Sequence, residues 1–291
     1  MIIDCISDYK KILNQNQKPT IKDLFLTDSI DKFKITKHRD GNYPAIITIS
    51  GFTSEDKDNR KDWEKSILRI YPDREWFHLE WNSKKIPFDK VPMTTMPDVL
   101  KTNEKPKPKY FKYIKFFAYR TSIIANTADI LINNYWHSAV RNSKNTGECL
   151  AKVLNACNKK EFILIGHSLG SRVIHNCLNH IYEKELNSNI REIHLLGGAV
   201  GSNPKKWVSA SLVVKKHIFN YYSFNDSVLS NGYRIGMLSV FPIGLSEIDN
   251  RKVINVNSSK IIKSHTEYIR KFSQLYYYYS KKYKWKERNK I

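Results

Sequence analysis

The sequence holds no uninterrupted apolar run long enough to cross a bilayer. Its most apolar long stretch, FFAYRTSIIANTADILI at 116–132, carries Arg120 and Asp129, which marks a buried amphipathic helix rather than a span. The N-terminus, MIIDCISDYKK, lacks a basic stretch followed by an apolar one, so no signal peptide is expected. Cysteine is scarce: Cys5, Cys149, Cys157 and Cys177 are the four present, and their spacing forms neither a metal-ligand set nor a redox pair. Few, irregular cysteines suit a reducing compartment, so the expected location is cytoplasmic, with peripheral membrane attachment as the further option.

Acidic residues are also few, 28 against 49 lysines and arginines, for a net charge of +21. No aromatic RNA-binding box, cysteine finger or helix-turn-helix accompanies that charge. Nucleic acid is therefore the weaker partner, and an anionic membrane surface the stronger. Lys, Ile and Asn are abundant throughout, so part of the excess is a general bias. The rest clusters in 101–115 and in a basic C-terminal tail at 281–291. At 291 residues the chain is near the upper size for one hydrophobic core, and a single domain is expected over 1–291.

Strand-like and helix-like segments alternate. DKFKITK (31–37) and YPAIITIS (43–50) read as two strands of a hairpin joined across 38–42. DWEKSILRIY (62–71) follows as a short helix and REWFHLEW (74–81) as a strand. Residues 82–110 are rich in Lys and Pro; with the following helical pattern they make 82–135 a candidate lid or insertion. Helical patterns are expected over 111–135 and 138–157. Beyond 161 the order is strand, tight turn, helix (170–185), strand (191–196), a short helix near Trp207, strand (216–223), a loop, strand (252–258) and a last helix (264–283). Short apolar strands alternating with helices indicate an α/β fold, a mainly parallel sheet covered on both faces.

Residues 161–180, EFILIGHSLGSRVIHNCLNH, carry the chemistry. Gly166-His167-Ser168-Leu169-Gly170 is a G-x-S-x-G pattern, which chance would produce roughly 0.03 times in a chain of this composition. An apolar strand precedes it. Leu169, Val173, Ile174, Cys177, Leu178 and Ile181 fall on one helical face after it. That context is a nucleophile elbow: glycines at 166 and 170 leave room for a strained turn that exposes the serine oxygen. His167 is expected to point away and to pack.

A base and an acid follow by elimination, since this architecture orders them serine, acid, histidine along the chain. His175 and His180 lie on the elbow helix, and His194 and His217 lie in or beside strands. His265, in KSHTEY after the last strand, is the candidate base. Asp226, at the C-terminal end of the strand HIFNYYSF, is the candidate acid, with Glu247 and Asp249 as alternatives. The strand AIITIS ends in Gly51-Phe52, so the amides of Phe52 and Leu169 are candidate oxyanion donors. Such a site needs no metal and no cofactor.

Several stretches resemble one family of α/β-hydrolases, that of the transmembrane and coiled-coil domain-containing protein 4. They are ISGFTSEDKDNRKDW (49–63), LIGHSLGSRVIHNCL (164–178), HLLGGAVGSNPKKW (194–207), NYYSFNDSVLSNGYR (220–234) and the SHTEY beginning at Ser264. The resemblance implies an α/β-hydrolase fold, the triad Ser168, Asp226 and His265, and a serine hydrolase of lipids or esters. The chain departs from the family in lacking its membrane segment and coiled coil, and in having His167 where Phe is common.

The expected activity is cleavage of acyl esters through an acyl-enzyme, on a lipid at an anionic membrane surface. The apolar segment 86–100 would serve as a lid, and Tyr276–Tyr279 with Trp285 as interfacial anchors or as helix packing. A soluble esterase, thioesterase or peptidase with the same triad is the alternative enzyme, and a non-catalytic binding module the alternative to an enzyme. Composition and pattern leave the oligomeric state open.

Overall fold

The computed structural model describes residues 33–52, 60–83, 127–157, 160–234 and 241–288, with the side chains of 127–135, 232–234 and 281–288 outside the description. Most of the lid-like insertion, residues 84–126, lies outside the described residues, as does Trp285 at the level of its side chain.

Seven strands form one sheet in the order β1-β3-β2-β4-β5-β6-β7. They are β1 (Lys34–Arg39), β2 (Asn42–Ile49), β3 (Arg74–Glu80), β4 (Phe162–His167), β5 (Ile190–Leu196), β6 (Ile218–Tyr222) and β7 (Val253–Asn257). The helices among the described residues are α1 (Arg60–Ile70), α2 (Thr127–Ala156), α3 (Leu169–Glu183), α4 (Pro204–Leu212), α5 (Ser227–Arg234) and α6 (Glu267–Arg288). All pairings are parallel except that of β1 with β3.

The expected hairpin of the first two strands does not form. Both edges of β2 are occupied, by β3 on one side and β4 on the other, so β1 pairs antiparallel with β3 instead. Arg39 secures that arrangement by donating through Nε to the carbonyl of Arg74 at 3.0 Å. Two further boundaries differ. Residues 127–156 form one continuous helix across the expected break at 136–137, and α6 runs on to Arg288 through most of the basic segment. The loop expected after β6 contains a helix, α5.

Strand periodicity divides the core between the two faces. Ala45, Ile47 and Ile49 of β2 pack with Leu164, Leu169, Val173 and Leu150 under α2 and α3. Ile46 points the other way, to join Ile163, Ile165, Trp63, Tyr268 and Phe272 under α1 and α6. Ser66 Oγ donates to the carbonyl of Ile269 at 2.9 Å, tying α1 to α6. Helical periodicity divides the tyrosine run as well. Tyr276 packs edge-on against Tyr71, with ring centroids 5.8 Å apart, while Tyr277 and Tyr278 are 43% and 54% exposed. No helix among the described residues is long and apolar enough to cross a membrane.

Two buried histidines flank the sheet and remain neutral. His78 on β3, held to Thr48 at 2.8 Å, is pushed down to about 3, by burial first and by His38 second. His175 on α3, its ring tilted against that of Trp207, is pushed down to about 4, by burial first and then by Arg172 and Lys206. The unfolded chain takes up these protons near the ordinary histidine value of 6.5. Between there and the depressed folded values the unfolded state binds more protons than the native one. Acidification below pH 6.5 therefore destabilises the fold by up to about 1.4 kcal/mol per histidine per pH unit. The urea midpoint is expected to fall between pH 7 and pH 5, and to fall less in His175→Gln. An identical fall in that variant would mean that the ring is protonated in the native state.

Candidate active site

Ser168 joins β4 to α3 with φ 55° and ψ −120°. A positive φ is rare for a residue with a side chain, and a strained value persists only where the surroundings impose it. Here they do so by close approach. A Cβ at Gly170 would lie 2.2 Å from the carbonyl oxygen of Ile49, and one at Gly166 would lie 2.8 Å from the backbone of Gly170. Neither distance tolerates a side chain, so the α3 N-terminus can press against the end of β2 only with glycine at both positions. The Ser168 N–H donates to Leu196 at 3.0 Å, and its carbonyl accepts from the amides of Ser171 and Ala199 at 3.1 and 3.0 Å. Backbone hydrogen bonds to β5 and to the loop beyond it therefore anchor the turn.

The end of β2 lies against the serine. A Cβ at Gly51 would be 2.6 Å from Ser168 Cβ and 3.2 Å from its Oγ. Two tryptophans hold this strand end. Trp63 Nε1 donates to Ser50 Oγ at 3.0 Å, and Trp81 Nε1 to the Ser50 carbonyl at 2.9 Å. The Phe52 ring packs edge-on against Trp136, with centroids 5.3 Å apart, directing that side chain away into the core cluster under α2. Leu169, the first residue of α3, is fully buried.

The side chains of Asp226 and His265 come together. His265 Nδ1 donates to Asp226 Oδ2 at 2.7 Å in a buried contact, which leaves the lone pair of Nε2 free to take a proton. The other carboxylate oxygen, Oδ1, accepts from the Leu229 amide at 3.0 Å. Asp226 thus caps α5, a signal its DSVL context carried and the sequence reading missed. The loops bearing Asp226 and His265 are laced together. Ser223 Oγ donates to Ile262 at 3.0 Å, Asn225 Nδ2 to Ser259 at 2.7 Å, and the Phe224 amide to Ser259 Oγ at 3.0 Å. The alternative acids are engaged elsewhere or exposed. Glu247 accepts from the Tyr222 hydroxyl at 2.9 Å, and Asp249 is exposed.

His167 does more than pack. Its Nε2–H donates to the carbonyl of His265 at 3.0 Å, and the two rings lie 4.8 Å apart. Burial first, and His265 second, hold His167 down at about 3, so it is a neutral donor on the histidine loop. Tyr268, fully buried, backs both rings at centroid distances of 6.2 and 6.3 Å. Among the described residues no group of three or more His, Cys, Asp or Glu side chains is placed to hold a metal ion.

The sheet order, the antiparallel first strand and the strained serine turn between β4 and α3 define an α/β-hydrolase fold. The chain belongs to the family described as "Protein of unknown function (DUF726)", which matches residues 26–279. Among its relatives is the rice (Oryza sativa subsp. japonica) "Transmembrane and coiled-coil domain-containing protein STS1", 28% identical over 82% of this chain and 36% of that protein. Another is the "Probable lipase MIL1" of Saccharomyces cerevisiae, 28% identical over 50% of this chain and 14% of its own length. The chain thus spans 36% and 14% of these two relatives. A solved Thermoplasma acidophilum protein described as a "predicted CIB-like hydrolase" matches 84% of this chain and 96% of its own at 12% identity, with a TM-score of 0.38. At that score the likeness adds nothing to the topology already described.

The two oxygens of Asp226 separate by substitution. Asp226→Asn keeps an acceptor for the Leu229 amide, since Asn caps helices about as well as Asp, whereas Asp226→Ala removes it. The alanine variant is expected to be less stable than the asparagine variant by about 1 kcal/mol, read from urea midpoints. Coincident midpoints would show that the cap contributes nothing.

Proposed function

We propose that the chain is a serine hydrolase that cleaves acyl esters, with Ser168 as nucleophile, His265 as general base and Asp226 as its orienting acid. The observation that carries this reading is the buried 2.7 Å bond from His265 Nδ1 to Asp226, formed by a histidine whose backbone carbonyl is held by the residue preceding the strained Ser168. In this reading His265 Nε2 takes the Ser168 proton as Oγ attacks the ester carbonyl. The amides of Phe52 and Leu169 stabilise the oxyanion. Collapse of the tetrahedral intermediate breaks the bond to the alcohol, which leaves with the proton from His265. Water then attacks the acyl-enzyme, giving its proton to His265, and Ser168 recovers a proton as the acid departs. Asp226 holds the imidazole tautomer and stabilises the imidazolium throughout.

Lipid is the substrate class this reading favours, with action at an anionic membrane surface as a peripheral protein. The support is the net charge of +21, the exposed Tyr278 on α6, and a relative named as a probable lipase. Basic residues attract anionic headgroups, and tyrosine suits the interface between headgroup and acyl chain.

A fluorescent fluorophosphonate is expected to label the wild type and not Ser168→Ala. Turnover of a short-chain ester should fall about 10,000-fold in Asp226→Asn, through loss of the correct tautomer. Equal labelling of wild type and Ser168→Ala would sink the assignment of the nucleophile. In sedimentation with vesicles, the protein is expected to pellet with phosphatidylglycerol and not with phosphatidylcholine alone. Equally weak binding to both would remove the membrane-surface part of the reading and leave the hydrolase part standing.

A further inference from the structure

Arg172 is a cation that the triad chemistry does not use. It lies one helical turn beyond Ser168 on α3, and long side chains on a helix lean back toward its N-terminal end, here toward the elbow. Its Nε–H donates to the carbonyl of Ala199 at 3.1 Å. The amide of that same Ala199 donates to the carbonyl of Ser168 at 3.0 Å. The guanidinium is therefore docked on the loop leaving β5, at the sheet edge that also carries Ser168, Asp226 and His265.

The bond to Ala199 uses one of the five guanidinium hydrogens. Arg172 is half-buried, and burial lowers its affinity for the proton, with no carboxylate among the described residues acting against that shift. A partly desolvated cation without a counter-charge is costly to hold in place. A planar fork of donors is also the arrangement that binds a phosphate or carboxylate bidentately.

We propose that Arg172 is an anion-recognising subsite beside Ser168, and that the ester cleaved there carries a phosphate or carboxylate group. The proposal rests on the hydrolase reading of Ser168 and narrows its substrate to anionic esters, such as those with a phosphorylated glycerol headgroup. Arg172 then acts as a specificity residue, binding the charged part of the substrate while His265 serves the reacting bond. A purely structural tie to Ala199 requires only the Nε–H and neither the charge nor the remaining donors.

The test compares 1-butyrylglycerol with 1-butyrylglycerol 3-phosphate, both soluble, in the full-length wild type, Arg172→Gln and Arg172→Lys. For the phosphorylated ester, KM is expected to rise about tenfold to a hundredfold in Arg172→Gln, the factor for losing hydrogen bonds to a charged group, with partial recovery in Arg172→Lys. The neutral ester should change less than about twofold on the same scale. Equal losses on both esters, with lysine no better than glutamine, would overturn the proposal in favour of a structural tie; so would an unchanged preference between the esters.

Inorganic phosphate added during neutral-ester hydrolysis separates the sources of the anion. Competitive inhibition lost in Arg172→Gln means that free phosphate suffices, while no inhibition beside a retained preference means that the phosphate must belong to the ester. If the wild type cleaves neither ester, the hydrolase reading has failed and the subsite is read by calorimetry. Binding of 1-butyrylglycerol 3-phosphate to Ser168→Ala that disappears in Ser168→Ala/Arg172→Gln upholds it, and binding that is absent or unaffected overturns it.

Discussion

The carboxylate of Asp226 joins the fold to the chemistry. One oxygen closes the first turn of α5 and the other holds His265 Nδ1 at 2.7 Å, with the side chain fully buried. A buried carboxylate is tolerable only when its lone pairs are occupied. The same two bonds that satisfy it also decide which nitrogen of His265 carries hydrogen. The lacing of the 223–226 loop onto the 258–265 loop through Ser223, Phe224 and Asn225 keeps those partners in register. Asp226 and His265 are thus placed as one unit.

The serine is placed by a different means, steric exclusion. Three backbone segments converge where β2, β4 and α3 meet, closely enough that side chains at Gly51, Gly166 or Gly170 would collide with neighbouring atoms. The convergence forces Ser168 into its positive φ, and the tryptophans on Ser50 prevent the end of β2 from relaxing away. His167 then links the two halves of the site. Its neutral ring reaches from the elbow to the carbonyl of His265, so the strand that leads into Ser168 also steadies the loop that carries His265.

Much of this was legible in the residues. The elbow declared itself because its glycines answer to local sterics that any chain must obey, and chain order singled out Asp226 and His265 as its candidate partners. The first hairpin was misread because strand pairing is non-local. Nothing in DKFKITK or YPAIITIS announces that β3 intervenes. Helix α5 was missed because it is short, and its one clear signal, Asp226 at the N-cap, had already been assigned to chemistry. The roles of His167 and Arg172 were hidden for a similar reason. Each depends on a partner carbonyl distant in sequence, at residues 265 and 199.

By itself, then, the sequence determined the alternation of strands and helices, the strained turn at Ser168 and the small set of residues able to serve it. Periodicity and glycine placement are properties of neighbouring residues and survive without a fold. Only the tertiary structure decided which edge β1 joined, which acid met His265, and what faced His167 and Arg172. Those outcomes depend on hydrogen-bonding edges and carbonyls that loops bring together from far apart in the chain, and on burial that makes each unsatisfied group costly enough to select one arrangement.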